Sequence, residues 1–62
     1  MQIEKGMKFK VVVLKNPLIN TKVGNIVEIV NVGKSTVEFK DLTTSDYGLI
    51  EKDKIKACFK PL

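Results

Sequence analysis

Histidine, arginine and tryptophan are absent from this 62-residue chain, and cysteine occurs once. With no imidazole and a single thiol, the usual nitrogen and sulfur donors of a zinc site cannot be assembled. No histidine is present to act as general base for Ser35, Ser45 or Cys58, so nucleophilic catalysis lacks its ordinary activator. The lone Cys58 cannot form an intramolecular disulfide, on which small secreted domains usually depend. Long apolar runs are also missing. Val11-Val12-Val13-Leu14 follows Lys5, Lys8 and Lys10, but it is too short for a signal-peptide core and far too short for a membrane span. These absences predict a non-enzymatic cytoplasmic domain with no catalytic residue, no metal, no cofactor and no membrane partner.

What remains is a basic chain of modest hydrophobicity. The net charge is +4, and every one of the eleven basic residues is lysine. Arginine is the usual choice for bidentate recognition of phosphates and bases, so its absence tells against sequence-specific reading of nucleic acid. A/T-rich coding, common in low-GC bacteria and their phages, accounts for the lysine usage and is compatible with a small bacterial or phage accessory protein. A chain this short buries only about 60% of the surface its unfolded form exposes. One domain spanning residues 1–62 is therefore expected, with little room for buried polar groups.

Periodicity predicts strands throughout. In Lys8–Leu14, Met7, Phe9, Val11 and Val13 share one face, and Lys8 and Lys10 lie on the other. Asn16–Lys22 reads as a loop by its Asn and Pro content. A second strand covers Asn25–Val32, where the adjacent pairs Ile26-Val27 and Ile29-Val30 break the alternation. A β-bulge or bend is expected there, and either member of each pair could point inward. Val32-Gly33-Lys34-Ser35 reads as a turn, and Thr36–Lys40 as a strand with Val37 and Phe39 inward. Asp41–Asp46 is a polar loop, Tyr47–Ile50 a short strand, and Glu51–Asp53 a single 3₁₀ turn. The last strand is placed at Lys54–Lys60, with Ile55, Ala57 and Phe59 inward and Lys54, Lys56, Cys58 and Lys60 outward. No stretch shows a sustained 3.6-residue apolar period.

Two fragments invite a chemical reading and do not sustain it. Gly33-Lys34-Ser35 ends like a phosphate-binding P-loop, but Glu28 stands where that motif has its first glycine, and a strand rather than a helix is predicted to follow. Asp41, Asp46, Glu51 and Asp53 lie in or beside turns without the regular spacing of a calcium loop, and solvated turns account for them. Phe9, Phe39 and Phe59 fall at inward positions, leaving Tyr47 as the exposed aromatic. One exposed ring is a weak basis for a methyl-lysine cage or a base-stacking platform.

The order of elements resembles an SH3-like barrel over residues 5 to 60. A first strand and long loop lead to Lys22-Val23-Gly24, then a strand, a tight hairpin and the Val37-Glu38-Phe39 strand. A short glycine-containing strand, an acidic turn and a last strand follow. The pattern is similar to small barrels of the KOW type and to the barrel-shaped accessory protein of photosystem I. It implies an all-β, five-stranded barrel with one 3₁₀ turn before the last strand. Peptide-binding SH3 domains carry an Ala-Leu-Tyr-Asp-Tyr run and paired tryptophans; this chain has neither. Because such barrels serve unrelated tasks, the resemblance does not specify a function.

Charge is distributed unevenly. Residues 1–15 carry four Lys and one Glu, residues 52–62 four Lys and one Asp, and residues 16–51 three Lys and five acids. If the first and last strands are neighbours, Lys8, Lys10, Lys54 and Lys56 share an outer face suited to an anionic partner. The plainer reading is a solvated face whose charges protect the sheet edges. The expected function is a binding or adaptor module that docks on a larger protein through its loops. The contact elements in this reading are the loop Asn16–Val23, with Leu18 and Ile19 as apolar anchors, the loop Asp41–Asp46, and Tyr47. The alternative is nonspecific nucleic-acid binding through Lys8, Lys10, Lys54 and Lys56. Oligomeric state is not specified.

Overall fold

Five antiparallel strands form one sheet in the order β4-β3-β2-β1-β5: β1 is Lys8–Val11, β2 Ile26–Val32, β3 Thr36–Asp41, β4 Tyr47–Glu51 and β5 Phe59–Pro61. A short helix, α1 (Lys52–Cys58), joins β4 to β5. The structure, a computed structural model, describes residues 2–14 and 21–62. The expected loop at Asn16–Lys22 therefore falls largely outside the described residues, as do Leu18 and Ile19. The sheet is not closed into a barrel by hydrogen bonds, because β4 and β5 are its two edges.

The sheet is nevertheless strongly curled. Neighbouring strands lie about 4.8 Å apart, so a flat sheet would separate β3 from β5 by roughly 14 Å. Instead Phe39 of β3 and Phe59 of β5 meet edge to face, with ring centroids 5.3 Å apart. Phe59 also touches Phe9 of β1 at 6.1 Å. One face of the sheet thus folds over on itself. Its core comprises Phe9, Val11, Val27, Ile29, Val37, Phe39, Ile50, Ile55, Cys58 and Phe59.

A bulge in β2 sustains the alternation. Ile29 pairs with Phe39, but Asn31 pairs with Glu38, leaving Val30 as the extra residue. Val27 and Ile29 are the inward members of the two ambiguous pairs, and Ile26 and Val30 stay partly exposed. The added residue lets Val32 turn back toward the core, where it packs beside Val37. Without the bulge, Asn31 would take that inward place.

Two element boundaries differ from expectation. First, β1 stops at Val11, and Val13 is 37% exposed rather than inward. The N–H groups of Val12 and Val13 both turn to the carbonyl of Cys58, at 2.8 and 3.2 Å, instead of continuing the ladder. Second, the 3₁₀ turn and most of the last strand are replaced by α1. Ile55, Cys58 and Phe59 are spaced i, i+3, i+4, and all three are buried. Ile55 and Cys58 form the apolar side of the helix, and Phe59, its extended C-cap, is buried as the first residue of β5. Asp53 in the first turn and Lys56 in the last complement the helix dipole, and Glu51 pairs with Lys54 at 3.4 Å. Ala57 is therefore exposed and Cys58 buried, the reverse of the strand expectation.

Candidate docking surface

The solvent-facing side of the sheet is ordered by register. Lys8 of β1 stands opposite Glu28 of β2, Glu28 opposite Lys40 of β3, and Lys40 opposite Tyr47 of β4. Opposite charges alternate along this row, an arrangement that stabilises cross-strand neighbours. Lys40 completes it by setting its ammonium 5.8 Å from the centre of the Tyr47 ring, within cation–π range. A second row runs Asn31, Glu38, Leu49.

The two ends of this face differ. At the β4 end, Tyr47 and Leu49 project two residues apart and are 53% and 63% exposed. Gly48 and Ile50, between and after them, point the other way, with Ile50 in the core. Leu42, the first residue of the adjoining turn, is also exposed. At the β5 end, Lys10 pairs with Lys60, with no acid between them. The structure thus brings Lys8, Lys10 and Lys60 onto the outer side of β1 and β5. Lys54 and Lys56 leave the sheet for α1, where Lys54 is engaged by Glu51. The four-lysine face expected from the sequence is not assembled.

Behind the apolar end sits a buried carboxylate. Asp41 is fully buried, contrary to its reading as a solvated turn residue. Its period-two phase continues the inward series Val37, Phe39, Asp41. One carboxylate oxygen accepts the Thr21 hydroxyl and the Asn25 amide, the latter at 2.8 Å. The other accepts the backbone N–H groups of Thr43 and Thr44 at 2.8 and 3.2 Å. Burial favours the neutral acid, but these four hydrogen bonds outweigh it and hold the carboxyl below the ordinary aspartate value of 3.8. Asp41 thereby ties the 41–46 turn to the start of β2 and to Thr21, and fixes the turn that leads into Tyr47. Ser45 accepts a left-handed conformation, φ 66°, to close that turn.

The exposure of Tyr47 is expected from the sequence and is observed, whereas that of Leu49 is not anticipated. A signal exists, since a strand that must bury Ile50 has to expose Leu49 on the side of Tyr47. Elsewhere, a shallow groove of about 140 Å³ is lined by Ile3, Lys52, Asp53, Ile55 and Lys56. Ligand pockets usually hold about 300–1,000 Å³, so the sheet face is the stronger candidate. Among the described residues, no helix is long and apolar enough to cross a membrane. Comparison with known proteins finds no match: no family model fits the chain, and neither a curated protein nor a solved structure is significantly similar to it.

Proposed function

We propose that the chain is a non-enzymatic binding module, an SH3-like small barrel that docks on a larger cytoplasmic protein through the outer face of the β3–β4 hairpin. The barrel description is supported by the strand order and by the curl that carries Phe59 onto Phe39. The observation that carries the docking reading is the exposure of Tyr47 and Leu49 side by side on an edge strand. Burying such side chains on a partner contributes about 25 cal/mol per Å² of apolar area. Tyrosine suits this role because it offers large area at low rotamer cost. Lys40 restricts the ring further from the neighbouring strand.

Capture from host extract, with and without nuclease, tests the proposal. The wild-type chain should retain a protein that survives nuclease, and the Tyr47→Ser/Leu49→Ser variant should lose it. Retention of nucleic acid alone would overturn the reading. The nucleic-acid alternative has one observation in its favour: Lys10 directly faces Lys60. Like charges so placed repel, and a bound phosphate would relieve them. On duplex DNA each neutralised phosphate adds about 0.9 to the salt slope, so Lys10→Gln/Lys60→Gln should flatten the salt dependence if that alternative holds.

A further inference from the structure

The two sheet edges are defended very differently. Edge strands expose unpaired backbone groups, and proteins blunt them with lysine, proline, bulges or shortness. Strand β5 is three residues long and contains Lys60 and Pro61. Strand β4, Tyr-Gly-Leu-Ile-Glu, has five residues, no lysine, no proline and an unbroken register against β3.

The orientation of its backbone groups follows from the hydrogen bonds that flank it. Asp41 N–H donates to the Asp46 carbonyl at 2.8 Å, and Lys52 N–H donates to the Ser35 carbonyl at 2.9 Å. In an antiparallel ladder, bonded pairs recur every second residue. Gly48 and Ile50 therefore bond to Phe39 and Val37, which face them. The N–H groups of Tyr47, Leu49 and Glu51, and the carbonyls of Tyr47 and Leu49, point away from β3. The Glu51 carbonyl serves the first turn of α1, as that of an N-cap residue does.

From this pattern we infer that β4 is a homodimer interface, at which β4 of a second copy adds antiparallel about a two-fold axis through Leu49. In that register the N–H of Leu49 bonds the carbonyl of the partner's Leu49, and the N–H of Glu51 bonds the carbonyl of the partner's Tyr47, each reciprocally. Such an isologous contact closes on itself. The side chains agree with it. Leu49 meets the partner's Leu49, Tyr47 lies beside the partner's Glu51 with its hydroxyl able to donate, and Asp46 falls opposite the partner's Lys52. Asp46 precedes β4 and Lys52 opens α1; both are exposed, and each keeps one backbone bond in phase with the β3–β4 pairing. Centring one residue earlier would set Asp46 against the partner's Ile50. Centring one residue later would set Leu49 against the partner's Glu51. Neither alternative pairs the charges.

The dimer does not depend on the docking proposal. It leaves the outer face open and brings Tyr47 and Leu49 of both copies together there.

Sedimentation velocity on the intact 62-residue chain tests the inference. The chain of 7.0 kDa should sediment at twice its mass, with the dimer fraction rising with concentration. Leu49→Lys places two ammonium groups on the axis and should weaken association about tenfold or more. Circular dichroism verifies that this variant folds. Asp46→Lys should also weaken the dimer, and Asp46→Lys/Lys52→Asp should restore it, a rescue that only this register provides. A wild-type chain that stays at 7.0 kDa throughout, a dimer indifferent to Leu49→Lys, or a charge exchange without rescue would overturn the inference.

Discussion

Phe39 lies over the backbone of Gly48, its partner on the neighbouring strand, so closely that a methyl group on Gly48 would come within 2.6 Å of the ring tip. The ring cannot retreat, because it is fully buried and held edge-on by Phe59. The same packing curls the sheet and fixes the side of β4 that faces solvent.

Gly48→Ala should therefore destabilise the fold by about 1–3 kcal/mol, the usual cost of forcing extra volume into a close-packed core. Urea denaturation at neutral pH measures it. Restoration of stability by Gly48→Ala/Phe39→Leu would identify the ring as the cause.

Asp41 makes stability depend on pH in a defined direction. Its folded-state carboxyl is held below 3.8, so the folded state favours the ionised form. The stabilisation is complete above the ordinary aspartate value and is lost as pH falls through the folded-state value. Denaturation midpoints measured from neutral pH down to pH about 2 should decline in that acid range. Asp41→Asn should remove this component and lower neutral-pH stability by about 1–3 kcal/mol, since it replaces charge-assisted bonds with a group that brings its own donors.

Cys58 is 3% exposed and packs in the core at the end of α1. A thiol reagent should reach it only through opening of the fold, so labelling should be slow in buffer and immediate in denaturant. If Cys58 stood on the outer face of a strand, the two rates would be alike. Cys58→Ser should destabilise by about 1–3 kcal/mol, because the hydroxyl enters an apolar site.

How far the sequence reaches can be seen at particular residues. Simple alternation puts Phe9, Val37, Phe39 and Phe59 inward, and all four lie in the core. Alternation fails at 52–58 because seven residues fit either period. Ile55, Ala57 and Phe59 satisfy two, whereas Ile55, Cys58 and Phe59 satisfy the helical spacing. The core decides between them: the helix turns Cys58 inward beside Ile55 and brings the chain round to pair β5 with β1. The lysine face fails for the same reason, since Lys54 and Lys56 depend on the strand. Asp41 reads as solvated because its partners Thr21 and Asn25 are distant in sequence, and only the fold brings them within reach. The adjacent apolar pairs of β2 signal a bulge, but which residue it displaces depends on pairing with β3.

The docking surface is tested most directly by photo-crosslinking from single positions of the intact protein in host extract. Crosslinkers at positions 47 and 49 should join the chain to another protein, in adducts that survive nuclease and are separated by mass from any self-adduct. Crosslinkers at positions 10 and 60 should yield little. Adducts that form only from positions 10 and 60, and that nuclease destroys, would contradict the assignment of the β3–β4 face.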